Sequence, residues 1–142
     1  MTISRESAEE ALRQGDWPKA WDYWGAIWEA GRPANEWLYV MEEAILPHAQ
    51  AGDLVAQQNL GSIGNALYHG GAPDGVASLH RGLRWIVTAL RRDLSATGLQ
   101  MLVVGYGALR DHGLQDSDIE AYLAESEPRN AWRTWTGKDP LP

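Results

Sequence analysis

The chain of 142 residues contains no cysteine. That excludes disulfide scaffolds, thiol nucleophiles and cysteine-ligated metals together. It contains no phenylalanine either, so its aromatic content rests on eight tryptophans and five tyrosines. Basic residues are scarce: 12 Lys and Arg face 19 Asp and Glu, for a net charge of -7. A balance of that sign argues against general binding to nucleic acid or to an anionic membrane. No stretch reaches the roughly 18 apolar residues of a membrane span, and Met1 to Glu10 has no apolar signal-like core. The expectation is a soluble, cytoplasmic protein. Strand-like alternation is nearly absent as well. With 44% hydrophobic and 22% charged residues, residues 1–142 are read as a single packed domain.

Charge is segregated along the chain. Residues 1–60 carry ten acids and four bases, residues 61–110 two acids and five bases, and residues 111–142 seven acids and three bases. An acidic protein therefore has a basic middle.

Gly, Pro and Asp punctuate the sequence at helix-length intervals, which predicts an all-α protein of about seven helices. Ser4 or Ser7 caps the first, to about Gln14, and Gly15 ends it. Asp16 caps the second, which Gly31 and Arg32-Pro33 stop. A third runs from Ala34 towards Leu46, where Pro47 predicts an end or a kink. Asp53 caps a fourth to about His69, and a fifth spans about Val76 to Arg92. Ser95 or Asp93 opens a sixth to about Asp111, and Asp116 or Ser117 a short seventh to about Glu125. Pro128 then begins a polar tail.

At an offset of 42, Leu60 matches Leu102, Ala66 Ala108, Leu67 Leu109, Gly71 Gly113 and Asp74 Asp116. Each match falls at the equivalent point of a helix–loop–helix unit: packing face, helix stop, next cap. The stretch Gly15-Asp16-Trp17-Pro18-Lys19-Ala20-Trp21-Asp22-Tyr23-Trp24 resembles the turn and second helix of a tetratricopeptide repeat. Ala56 with Leu60-Gly61, and Gly82-Leu83-Arg84-Trp85 with Ala89, resemble the related Sel-one-like repeat. The pattern departs at Gly64, where that family has Tyr, and at Val103, where it has Gly. The resemblance implies an α-solenoid of antiparallel helix pairs, a right-handed superhelix that binds other proteins. It divides the domain into a tryptophan-rich, tetratricopeptide-like part at 1–52, Sel-one-like repeats at 53–127, and a tail or cap at 128–142.

Two constellations stand out. Trp17, Trp21, Trp24 and Trp28 lie within about 60° of arc on one helix, a continuous indole ridge. The ridge is read either as core packing or as an indole-lined groove for a ligand. On the fifth helix, with Arg81 at 0°, Arg84, Arg91 and Arg92 fall at about 300°, 280° and 20°, opposite Leu79, Leu83, Ile86 and Leu90. Trp85, at about 40°, sits among the guanidinium groups. Arg81, Arg84, Trp85, Arg91 and Arg92 are thus the candidate partner-binding residues. The arginines would pair with carboxylates of an acidic protein surface, and Trp85 would be the apolar anchor. Two other readings stay open: Trp85 buries against the next unit, or the arginines neutralise the protein's own acidic flanks.

Other chemistry finds little support. Met101-Leu102-Val103-Val104-Gly105-Tyr106-Gly107 has the look of a dinucleotide-binding loop, but Arg110 stands where the third glycine belongs and helical spacing persists. Glycines there suit close helix approach. His48, His69, His80 and His112 are scattered, with no ligand spacing, and no nucleophile motif occurs. The expectation is a non-catalytic interaction module without cofactor or metal, a small adaptor or an inhibitor or immunity-type protein. The alternatives are a small-molecule binder or enzyme built on the tryptophan ridge, and a homo-oligomeric structural subunit. Trp132 and Trp135 either cover the open end of the array or form an interaction peptide.

Overall fold

The computed structural model describes residues 4–30 and 35–141, with the side chains of 28–30 left aside. Among these residues there are eight helices and no strand: α1 (Arg5–Arg13), α2 (Trp17–Ala30), α3 (Asn35–Gln50), α4 (Leu54–His69), α5 (Gly75–Arg92), α6 (Ala96–Asp111), α7 (Ser117–Ala124) and α8 (Ser126–Thr136). The expected stops at Gly31 and Arg32-Pro33 lie outside the described residues.

Caps account for most boundaries. Ser4 accepts from the Ser7 N–H, Asp53 from Ala56, Ser95 from Gly98, and Asp116 from Asp118 and Ile119, so each of these four helix starts has an orphan donor satisfied. Four helix ends share one turn. Gly15, Gly52, Gly71 and Gly113 adopt φ of +75°, +99°, +68° and +79°. The residue after each glycine donates back to a carbonyl five positions earlier: Asp16 to Ala11, Asp53 to His48, Ala72 to Leu67, and Leu114 to Leu109. This is the left-handed glycine stop, which a side chain with a Cβ resists.

Two boundaries differ from expectation. α3 passes through Pro47 and ends at Gln50. Pro47 lies in the last turn, so its missing N–H forgoes a single helical bond before Gly52 turns the chain. The expected polar tail contains an eighth helix, α8, which corrects the count of about seven. Pro128 is the third residue of that helix, within the first turn, where a proline N–H has no intrahelical carbonyl to meet.

The core has two parts. Residues of α1 to α4, including Trp37, Leu38, Met41, Ile45, Ile63 and Leu67, form the first. Leu79, Leu83, Ile86, Leu99, Leu102, Tyr106, Ile119 and Leu123 form the second. The two meet along α4 and α5: Trp85 of α5 packs on the first part and Tyr68 of α4 on the second. Glycine makes that seam close. A Cβ built on Gly64 would stand 2.4 Å from the Ser78 carbonyl oxygen and 3.0 Å from Gly82 Cα. One on Gly82 would lie 3.1 Å from the Gly61 carbonyl oxygen. Gly64 meets Ser78 and Gly82 while Gly75 meets Tyr68, so the two helices run antiparallel. α6 returns antiparallel in its turn, with Gly105 against Leu83 and Gly98 against Leu90. The stretch from Met101 to Gly107 lies inside α6, and its Gly105 admits a leucine side chain.

At the C-terminal end, Trp132 and Leu141 pack against the second core, while Trp135 is 48% exposed. Gly137 reverses the chain, and Arg133 pairs with Asp139 beyond it. Trp132→Ala is therefore expected to cost about 2–3 kcal/mol, with Trp135→Ala within about 0.5–1 kcal/mol of wild type. Urea titration of the two variants checks it.

Candidate protein-binding face

The arginines of α5 do not stand free. Arg81 pairs with Glu42 of α3 at 3.3 Å and donates to Ser78 Oγ, with Asp74 4.0 Å away. Arg84 pairs with Asp116 at 2.8 Å and with Asp118 at 3.4 Å. Arg91 makes a two-pronged pair with Glu125 and lies over the Tyr122 ring, 5.0 Å from its centroid. Arg92 donates to the Gly52 carbonyl in the turn before α4. Every arginine of the stripe thus ties α5 to a group from another part of the chain, and Arg81, Arg84 and Arg91 remain about half exposed.

Asp116 is the most heavily bonded acid. Its side chain is 5% exposed and accepts from His80 Nε2 at 2.7 Å, from Arg84, and from the backbone N–H groups of Asp118 and Ile119. Its own N–H donates to the Tyr106 hydroxyl at 2.9 Å. Burial pushes its carboxyl up, but the four donors outweigh burial and hold its pKa at about 2, below the ordinary 3.8. Burial likewise pushes the Tyr122 phenol up to about 12, although Arg91 opposes the rise.

The offset of 42 has a spatial counterpart here. Asp74 and Asp116 precede α5 and α7. Asp74 accepts from the Tyr39 hydroxyl of α3, as Asp116 accepts from His80 of α5. α3 thus reaches forward to the acid that starts α5, and α5 to the acid that starts α7.

Two hollows open along this series. Arg81, Arg84, Trp85, Thr88, Asp118 and Ile119 border one of about 420 Å³ between α5 and α7. Tyr39, Glu42, Glu43, Leu46, Leu60, Arg81 and Trp85 line one of about 350 Å³ between α3 and α5. Trp85, half-buried, and Arg81 border both. Of the five residues singled out in the sequence, Arg81, Arg84 and Trp85 come together here, whereas Arg91 and Arg92 lie one to two turns further along α5 and engage Glu125 and the α3–α4 turn.

Sequence reasoning missed Tyr39, Glu42, Glu43, His80 and Asp116 as members of this face. The Asp74–Asp116 match was the one available signal, since it placed two acids at equivalent starts of α5 and α7.

The tryptophan ridge faces inward where it is described. Trp17 is buried and packs on His48, with ring centroids 5.7 Å apart. Trp21 and Trp24 stack at 4.4 Å, partly buried on the first core. The Trp28 side chain lies outside the described residues. His69 and His112 both lie against Tyr68. Among the described residues no group of three His, Asp or Glu is placed to hold a metal ion, and no helix is long and apolar enough to cross a membrane.

Comparison with family models, curated proteins and solved structures returns no match to this chain.

Proposed function

We propose that the chain is a non-catalytic protein-binding module, a compact solenoid of antiparallel helix pairs related to the tetratricopeptide and Sel-one-like repeats. It acts in the cytoplasm as a small adaptor or as an inhibitor or immunity-type protein, with no cofactor. The repeated glycine turn and the recurring link from one helix of the α3, α5, α7 series to the acid that starts the next support the repeat reading. The observation that carries the functional reading is the hollow between α5 and α7, where Trp85 is framed by two half-exposed arginines. An indole beside guanidinium groups is the composition that binding interfaces favour. Arg84 spends two N–H groups on Asp116 and Asp118 and keeps others for carboxylates of an acidic partner surface. Arg91 and Arg92 extend the same face.

The test follows from the pairing. Arg→Glu changes would set new carboxylates beside Glu42 or Asp116 and unsettle the fold, so the hollow is better filled than recharged. Thr88 is exposed and borders it. Thr88→Trp, bulky and uncharged, is expected to leave stability within about 0.5 kcal/mol of wild type and to abolish capture of the partner from host lysate. Retention of the same partner by this variant would move the binding face elsewhere.

A further inference from the structure

We infer that the hollow between α3 and α5 receives an arginine side chain of the partner protein. This rests on the reading of the α5 face as a protein-binding surface and names the chemistry of one half of it. Leu46 and Leu60 give the hollow apolar walls, Tyr39 and Trp85 add two aromatic rings, and Glu42 and Glu43 stand at its border. Its charge is unbalanced. Arg81 is the one guanidinium lining it, and Arg81 is committed to Glu42, with Asp74 on its other side. Glu42 and the exposed Glu43 thus line it against a single cation, a local charge of -1, and Asp74 outside the lining also draws on Arg81. Glu43 has no partner among the described residues.

The aromatic groups are held for the same purpose. The Tyr39 hydroxyl donates to Asp74, which holds the ring where it borders the hollow. Trp85 is wedged against the first core. Ring faces, an unmatched carboxylate and apolar walls are the surroundings in which a guanidinium is bound: it stacks on the rings, pairs with the acid and is less strongly hydrated than an ammonium. An acidic side chain entering here would meet Glu43 and Asp74. The partner surface is thus mixed, with carboxylates towards Arg84 and Arg91 and one arginine towards Glu43.

The experiment uses the full chain, labelled with nitrogen-15, and N-acetyl-arginine methylamide as the probe. The neutral isostere N-acetyl-citrulline methylamide and tetramethylammonium serve as comparators. The expected result is saturable shifts of the Trp85 indole and the Tyr39 and Glu43 amides with a millimolar dissociation constant. Citrulline should bind about tenfold more weakly, and Glu43→Gln should weaken the arginine probe by about fivefold with unchanged melting. Absence of saturation, equal binding of citrulline, or an unaffected Glu43→Gln variant would overturn the inference. Tighter binding of tetramethylammonium would overturn the choice of a protein side chain as occupant. The probe needs no partner protein. A bound probe with undisturbed partner capture by Thr88→Trp would move the binding face off the hollow between α5 and α7 and leave the pocket standing, whereas an unbound probe with capture abolished would sink the pocket alone.

Discussion

Replacing Gly64 by alanine is expected to destabilise this protein by about 3 kcal/mol or more, near the upper end of what a single added methyl group costs. The new Cβ would lie 2.4 Å from the Ser78 carbonyl oxygen and 3.0 Å from Gly82 Cα. Both obstacles are backbone, so no rotamer change relieves them and α5 must move off α4. That movement opens the seam where the two halves of the core meet. Two further glycines calibrate the result. A Cβ on Gly61 would collide with Ile86 Cδ1 and Cγ1 at 2.2 and 2.3 Å, a side chain that can turn aside, so Gly61→Ala should cost less, about 1–2 kcal/mol. Gly107 has nothing within 4 Å and sits inside an exposed helical turn, so Gly107→Ala should stabilise by about 0.5–1 kcal/mol. Chemical denaturation of the three variants gives the order. Equal costs at positions 61 and 64 would mean that α4 and α5 are not in backbone contact.

Asp116→Asn is the second large effect, with an expected loss of about 2–3 kcal/mol at pH 7. It weakens the cap of α7 and leaves Arg84 and His80 facing a neutral amide. Arg84 is 55% exposed, so water takes up part of its charge, which keeps the figure below that of a fully buried pair. The pH dependence gives an independent check. The folded carboxyl titrates at about 2 against an ordinary 3.8, so the folded state holds the charged form more tightly than the unfolded chain does. The stabilisation is complete above pH 4 and is lost as the pH falls towards 2, and it amounts to about 2 kcal/mol. The gap between wild type and Asp116→Asn should therefore narrow by about that amount between pH 4 and pH 2. A gap of constant width across this interval would show that the carboxylate is not held by its four donors.

Local features were legible where a short stretch settles the matter. The caps at Asp53 and Asp116 and the glycine stops at Gly15, Gly71 and Gly113 stand where the residue types place them. The four apolar residues of α5, Leu79, Leu83, Ile86 and Leu90, are buried as their spacing predicts. Proline misled at Pro128, and at Pro47 α3 runs on to Gln50 where an end was one of two expectations, because its penalty depends on position. In a last turn it removes one bond, and in a first turn none.

The arginine stripe shows the other limit. That four arginines share the side of α5 opposite Leu79, Leu83, Ile86 and Leu90, with Trp85 beside them, follows from 3.6 residues per turn alone, whereas the packing of Trp85 on the first part of the core does not. Their pairing with Glu42, Asp116, Asp118, Glu125 and the Gly52 carbonyl joins residues 32 to 40 positions apart. Helical periodicity does not span such a separation. It is decided by how α3, α5 and α7 come to lie side by side, which depends in part on how closely glycines let α4 approach α5. The sequence alone determined seven of the eight helices, most of their caps and the core face of α5, because those rest on contacts within a few residues. The tertiary structure decided which charges are paired within the fold and which, like Glu43, have no pair among the described residues, because electrostatic pairing depends on distance in space and not along the chain.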